Sequence, residues 1–402
     1  MLFCAATAFA DDRFEKTSNA TVTYEGGTVR IEHRYGKVTV HTGSSNQVVV
    51  RAVVRASDEE LGKSVAFHVN NGPNGVDIRT SFPSIHYHGT EDMSYAADID
   101  VAIPERAPLE VTSRFGSIEL IGLGAPVEIN NRQGAVMARN IHGGKIENSF
   151  GAVTVEGTAS DLVVRNANGA VSISDVRGTL SVTNRYAAVS VQRVGGNLAI
   201  ANSNAAVSAI DVKGPASITN SFASVSAVNI NGPATIATTN GNVSASNIAG
   251  DLEVNTRFGL VKAEGVRGNL TIENSNGSVS ASEIKGNARV RTSYAPVFLK
   301  DIDGGVDVEN QNGVIGVSGL RGGCNEITLK TTYSPIKISL ASNASYSVTA
   351  HTVYGSINTD FPITVTARSS SETSQSLSGT IGKGGCKMEL TTSNAGITIN
   401  RE

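Results

Sequence analysis

A small residue returns every 18 positions for about two hundred residues, and this register limits the possible folds more than any other feature of the chain. Taking that residue as position zero, it is Gly116, Gly134, Gly151, Gly169, Ala187, Ala205, Ala223, Gly241, Gly259, Gly277, Ala295 and Gly313. Every step is 18 residues except one of 17. Position +2 is always Val or Ile, from Ile118 to Ile315, and from Gly169 onward position +9 is always glycine, Gly178 to Gly322. Apolar residues fall at +2, +4, +7, +11 and +13. In the unit Leu162 to Thr179 (LVVRNANGAVSISDVRGT) strict alternation occurs twice, with turn residues between, and no helical period appears. Strand–turn–strand repeated without helices predicts an all-β, right-handed parallel β-solenoid. The spacing does not fit hexapeptide or leucine-rich repeats, and no GGxGxD calcium repeat occurs.

Each column carries its own expectation. Position zero accepts Ala, which suggests a need for smallness. Position +9 refuses Ala, which suggests a left-handed turn that glycine adopts cheaply. Position −3 is almost always Asn or Thr. Its members Asn166, Asn184, Asn202, Asn220, Asn274 and Asn310 share the inward parity of the apolar columns and are expected to form a structural ladder, bonding to one another and to turn backbone. Position −1 alternates: Phe150, Tyr186, Phe222, Phe258 and Tyr294 are interleaved with Asn168, Asn204, Asn240, Asn276 and Asn312. The 18-residue units therefore pair into a 36-residue sequence repeat. If coils stack like on like, a 36-residue coil with one continuous aromatic stack is favoured. Contact between Phe222 and Phe258 would mark that arrangement, and Phe222 beside Asn240 would mark an 18-residue coil.

Composition suits a thin structure. Of 402 residues 42 are Gly, 5% are aromatic and none is Trp, so a thick core of large side chains is excluded. The formal charge of −3 offers no field for nucleic acid. Residues 1–10, MLFCAATAFA, end in an A-x-A pattern at Ala8-Phe9-Ala10 and read as the remnant of a signal peptide. The expected location is therefore outside the cytoplasm: periplasmic, on the outer surface or secreted. No run approaches the ~18 apolar residues of a transmembrane helix. Residues 11–107 read as a β-rich N-terminal capping region with strands near 28–34, 37–42, 47–55, 64–70, 75–80 and 97–103. Within it EHRYGKVTV, Glu32 to Val40, copies the aromatic-Gly-x-Val signature, so the stack is expected to begin there. Residues 108–323 are the regular repeats, and 324–402 are irregular coils and a cap, with a polar loop at Arg368–Ser376. Cys324 and Cys386 both follow Gly-Gly. An exported pair can form a disulfide, or the two can be buried thiols at matching places. Their separation of 62 residues is no whole number of repeats, so a bond requires the loss of register near 368–376.

The junction DIDVAIPERAPLEVTSRFGSIEL (Asp98 to Leu120), the alternation of SFG and SNG units and the final LTTSNAGITI segment together resemble the bacterial putative-adhesin family of β-strand-repeat proteins, related to the head-GIN putative adhesins. The GSGD turn of the head-GIN group is absent, which places the chain in the broader adhesin-like group. The resemblance implies a β-solenoid and an exported, adhesion-like role, and it supplies no catalytic residues.

The residues themselves offer little chemistry. Column +6 carries Asp175, Asp211, Glu283 and Asp301, and column +8 carries Arg177, Lys213, Arg267, Lys285 and Arg321. A carbohydrate-active β-helix enzyme needs clustered carboxylates on one face. Here Asp175, Asp211 and Glu283 each have a base two residues on, the pattern of solvated turn charges, so no catalytic residue is assigned. His86 and His88, near Glu91 and Asp92, are the one ligand-like group, and a surface loop is the reading preferred to a metal site. No cofactor is expected. Outward Ser172, Ser190, Ser208, Ser226 and Ser244 at +3 form an uncharged small-residue column, expected to be an interaction surface. The function read from the sequence is a non-enzymatic, adhesin-like or structural cell-envelope protein. Its partner would be a cell-surface glycan, a protein or a second copy. The alternatives are the carbohydrate-active enzyme and a periplasmic envelope-stress scaffold or sensor.

Overall fold

In a computed structural model, residues 14–83, 94–321 and 323–402 are described. The signal remnant at 1–10 and the cluster at His86 and His88 lie outside them. The chain divides into two compact units, one reaching to Ala188 and the other spanning Val189–Glu402. Both are parallel β-solenoids of the right-handed type.

In the second unit each coil contributes one strand to each of two sheets. Val207–Val212, Val225–Ile230 and Val243–Ile248 run side by side in one sheet, and Ala216–Phe222 and Ala234–Asn240 run in the other. The register is exact to the residue: Val225 pairs with Val207 and Val243, 18 positions away on either side. This corrects the expectation of a 36-residue coil. Phe222 pairs with Asn240, and Asn240 is bridged in turn to Phe258, so aromatic and amide residues interleave along one column. Hydrogen-bond register of the whole backbone, renewed at each 18-residue step, outweighs any like-on-like preference of one exposed column.

Alternation sends +2, +4 and +7 into the core from one sheet, as in Val225, Ala227 and Ile230, all at most 1% exposed. Ala216, Ile218 and Asn220 enter from the other. Column +4 is Ala in five successive coils, from Ala209 to Ala281. Small residues there let the sheets approach closely, so the core is filled without Trp or much Phe.

The expectation for the +9 glycines is revised. The left-handed residue is at +6, not +9: Asp175, Arg193, Asp211, Asn229, Asn247, Glu283 and Asp301 all have φ between 55° and 61°. Asp and Asn tolerate this conformation best among non-glycine residues, which explains their abundance in the column. The glycines at +9 are instead fixed by close approach between coils. A Cβ on Gly214 would lie 2.7 Å from the Gly196 carbonyl oxygen, and one on Gly286 would lie 2.6 Å from that of Gly268.

The first unit opens with β1 (Phe14–Thr23), β2 (Thr28–Glu32), β3 (Val38–Thr42) and β4 (Gln47–Ala56). A six-residue helix α1 (Glu59–Ser64), capped by Asp58, leads to β5 (Ala66–Gly72), β6 (Gly75–Ser81) and β7 (Tyr95–Ile103), then to β8 (Leu109–Phe115) and β9 (Ile118–Ile121). The signature at Glu32 to Val40 does join the stack: Tyr35 bridges Phe115, and Val38 pairs with Ile118. The order in space differs from the order in the chain. The β2–β3 coil lies between the later β6–β7 coil and the β8–β9 coil. Antiparallel strands then cover the open edge, β5 against β6, and β4 and β1 beyond β7.

The C-terminal end repeats this inversion. The coil Ile327–Lys330/Ile336–Leu340 pairs with Cys386–Thr392/Ile397–Arg401. That coil in turn pairs with the earlier Tyr346–Val353/Ile357–Thr359. Ser374–Ile381 and Ile363–Ser370 close the edge as an antiparallel hairpin. Its tip is the stretch Arg368–Ser376, which is therefore not an extended loop. Covering the last parallel strand blocks edge-to-edge pairing with other chains. Cys324 and Cys386 are joined in a disulfide with Cα atoms 5.0 Å apart. Among the described residues no helix is long and apolar enough to cross a membrane.

Candidate functional site

Position −3 builds one corner of every coil. Asn220 Nδ2 donates to the carbonyls of Ala205 and Ala223, both at 3.1 Å, and Asn310 Nδ2 to those of Ala295 (2.8 Å) and Gly313 (3.0 Å). In the first unit Asn166 does the same for Gly151 and Gly169, and Asn184 for Gly169 and Ala187. Each amide thus clamps the position-zero carbonyl of its own coil to that of a neighbouring one. These bonds run to backbone and not from Asn to Asn, because the two converging carbonyls take both N–H groups. Asn202 and Asn274 hold equivalent places, with Asn202 bonded to Ala205. Thr238, Thr256 and Thr292 substitute in the same column, and their buried hydroxyls have no hydrogen-bonding partner among the described residues.

Outside this corner runs a groove of about 850 Å³, confined to the second unit and crossing seven coils from Asn220 to Thr331. Positions −4 and −2 line it beside the −3 ladder. Its lining includes Arg257, Glu273, Arg291, Glu309 and Lys330 among many Ser, Thr and Asn side chains. The charges are largely matched within the protein: Arg291 Nη2 lies 2.6 Å from Asp307, its Nε lies 3.3 Å from Glu309, and Lys330 lies 3.8 Å from Glu309. In the sequence Arg257, Glu273, Arg291 and Glu309 look like the charges of an ordinary solvated strand face. The signal that could have found the groove was the polar character of −4 and −2 in seven consecutive coils, broken only at Ala237.

The residue that follows −2 is the aromatic or amide at −1. Phe222, Phe258 and Tyr294 are 49%, 44% and 60% exposed, and Phe150 and Tyr186 in the first unit are similar. They do not form a continuous stack, since each lies two coils from the next with Asn between. Rings on adjacent coils occur only where the sequence places two aromatics next to each other in space. Tyr35 and Phe115 stack with centroids 5.1 Å apart and planes 8° from parallel.

The serine column lies on the other sheet. Ser190, Ser208, Ser226 and Ser244 occupy adjacent strands in one row of the second unit, which ends at Lys262, while Ser172 belongs to the first unit. The 18-residue coil keeps these four together. The +6 carboxylates sit in the left-handed turns; Arg321 lies 2.7 Å from Asp301 at +6, and Lys285 at +8 lies 2.9 Å from Asp303 at +8 of the next coil. Among the described residues no group of three or more His, Cys, Asp or Glu side chains is placed to hold a metal ion.

The model of the Toastrack DUF4097 family matches residues 183–400, over half of the chain. The chain belongs to this family. No curated protein matches this Toastrack chain. Two solved structures align with it. One, described as a "putative cell adhesion protein" from Clostridium sporogenes ATCC 15579, is 8% identical, covers 97% of this chain and 100% of its own, and has a TM-score of 0.21. The other, a "putative adhesin" from Bacteroides fragilis NCTC 9343, is 11% identical, covers 75% of this chain and 96% of its own, and has a TM-score of 0.18. At such scores neither bears on the Toastrack chain's site.

Proposed function

We propose that this protein is an exported, non-enzymatic, adhesin-like envelope protein, a scaffold whose coils hold binding groups in fixed register for an extended partner. The observation that carries this reading is the groove across seven coils, flanked by half-exposed aromatic side chains. Isolated exposed aromatics need no explanation, but a row of them at constant pitch beside a concavity has the character of a recognition surface. The uncharged row from Ser190 to Ser244 offers a second, flat surface that another copy can approach with little desolvation cost. The A-x-A pattern at Ala8-Phe9-Ala10 supports the export part of this reading.

The test is a binding screen of the full chain against glycans and extracellular-matrix proteins, with release of reducing ends measured on the same panel. Capture without cleavage is the expected result. Cleavage of a captured glycan, or an absence of both capture and self-association, would overturn the proposal.

A further inference from the structure

The alternation at position −1 continues where the chain order does not. In the second unit the coils follow one another in space as Phe222, Asn240, Phe258, Asn276, Tyr294, Asn312 and Tyr333. Read along the chain, the next two coils would add Tyr354 and then Asn394, placing two tyrosines together. The pairing of Ile336 with Ile397, and of Ile397 with Ile357, reverses them. Asn394 therefore falls between Tyr333 and Tyr354. Aromatic residues occupy every second coil from Phe222 to Tyr354 without a break, and Tyr333 and Tyr354 are 60% and 67% exposed.

Packing does not demand this. Tyr35 and Phe115 on adjacent coils show that the fold accepts neighbouring rings at this corner. Nor does burial explain it, because these five side chains are among the most exposed large hydrophobic groups of the protein. Coils in a parallel stack are ~4.8 Å apart, so the rings recur at about 9.6 Å. That is close to the length of one disaccharide in an extended β-1,4-linked chain of pyranoses. In such a chain successive sugars are turned over, and every second ring presents the same apolar C–H face on the same side. Aromatic faces suit those C–H faces, and the amides of Asn276, Asn312 and Asn394, all exposed, are placed to bond the hydroxyls of the intervening sugars. The groove's charges are matched in Arg291, Glu309 and Lys330, which favours an uncharged polymer over an acidic one.

We infer that the row from Phe222 to Tyr354, with the groove beside it, binds an uncharged, extended β-1,4-linked glycan, one disaccharide per aromatic residue. This rests on the binding-scaffold reading above and names its ligand class. The experiment is calorimetric titration of the full chain with cellohexaose and chitohexaose, their disaccharides, and maltohexaose as the α-linked control. The triple variant Phe258→Ala, Tyr294→Ala, Tyr333→Ala is compared, with circular dichroism and melting confirming its fold. The inference expects hexasaccharide to bind at least tenfold more tightly than disaccharide, maltohexaose to bind weakly, and the variant to lose at least tenfold in affinity at an unchanged melting temperature. If the variant does not fold, the single Tyr294→Ala is used, with a threefold loss expected. No binding of either β-linked hexasaccharide, or undiminished binding by the folded variant, overturns it. Capture of a protein or of an α-linked glycan in the broader screen would then leave the scaffold reading standing while this inference falls.

Discussion

The side-chain nitrogen of Asn274 lies 3.0 Å from the carbonyl oxygen of Gly259, fifteen residues earlier in the chain and one coil away. The same nitrogen lies 2.8 Å from the Gly277 carbonyl of its own coil. Replacing Asn274 with Ala strands two carbonyls at a buried corner, and each loss is worth about 1–3 kcal/mol. Denaturant unfolding should show Asn274→Ala destabilised by about 3 kcal/mol. Thr256 occupies the same column with an unpartnered hydroxyl, and Thr256→Asn is expected to gain about 1 kcal/mol. A destabilised Thr256→Asn would show that this corner has no room for the amide.

Inward and outward parity is tested at two adjacent residues. Val225 is 1% exposed and Ser226 is half-buried on the outer face. Val225→Asp buries an unpaired charge between coils and should cost several kcal/mol or prevent folding. Ser226→Asp should cost less than ~1 kcal/mol. Thermal melts of the two variants check the difference, and equal losses would contradict the parity.

His33 is 5% exposed, with Nδ1 3.1 Å from the Thr80 hydroxyl and its ring edge-on to Phe82. Burial holds its pKa down at about 4, against 6.5 in an unfolded chain, even though backbone contacts at Tyr35 and the charge of Asp98 act the other way. Between these values the unfolded state binds more protons, so stability is present above pH 6.5 and is lost as the pH falls towards 4. The loss attributable to His33 is about 3 kcal/mol. Unfolding measured at pH 7, 5.5 and 4.5 should show a steeper decline for the wild type than for His33→Gln. Parallel curves would refute the assignment.

The bond between Cys324 and Cys386 spans 62 residues and ties the loop before Ile327–Lys330 to the coil that lies next to it in space. Closing a loop of this length stabilises by about 2–4 kcal/mol. Reduction, or Cys386→Ser, should lower the melting temperature and loosen the C-terminal hairpin first, as followed by hydrogen exchange. Under denaturing, non-reducing conditions neither thiol should react with a labelling reagent.

Much of the solenoid could be read in advance because its determinants are local and repeated. Val225, Ala227 and Ile230 show their inward parity in any one unit, and the column of Asn166 to Asn310 declares its role by admitting only Asn or Thr across units. The sequence could not show which strand neighbours which, since pairing is a long-range property. Phe222 was therefore expected against Phe258 and not Asn240. The same limit hid the inversion that sets Asn394 between Tyr333 and Tyr354. The roles of +6 and +9 were exchanged for a different reason. Absence of a side chain was taken as a sign of unusual φ, when at Gly214 and Gly286 it answers to the nearness of the coil below. The groove went unseen because Arg257 and Glu273 look like ordinary solvent-facing charges until their coils are stacked.

The inverted order of the last coils changes what a premature stop would do. A chain ending at Gly385 would not simply be one layer shorter. It would lack the leaf that lies between Ile327–Lys330 and Tyr346–Val353, together with one partner of the disulfide. Tyr346–Val353 and the hairpin paired to it would still be synthesised, but with no leaf to join them to the rest of the stack. For this unit the coil from Cys386 to Arg401 acts as a keystone, set between two coils that precede it in the chain.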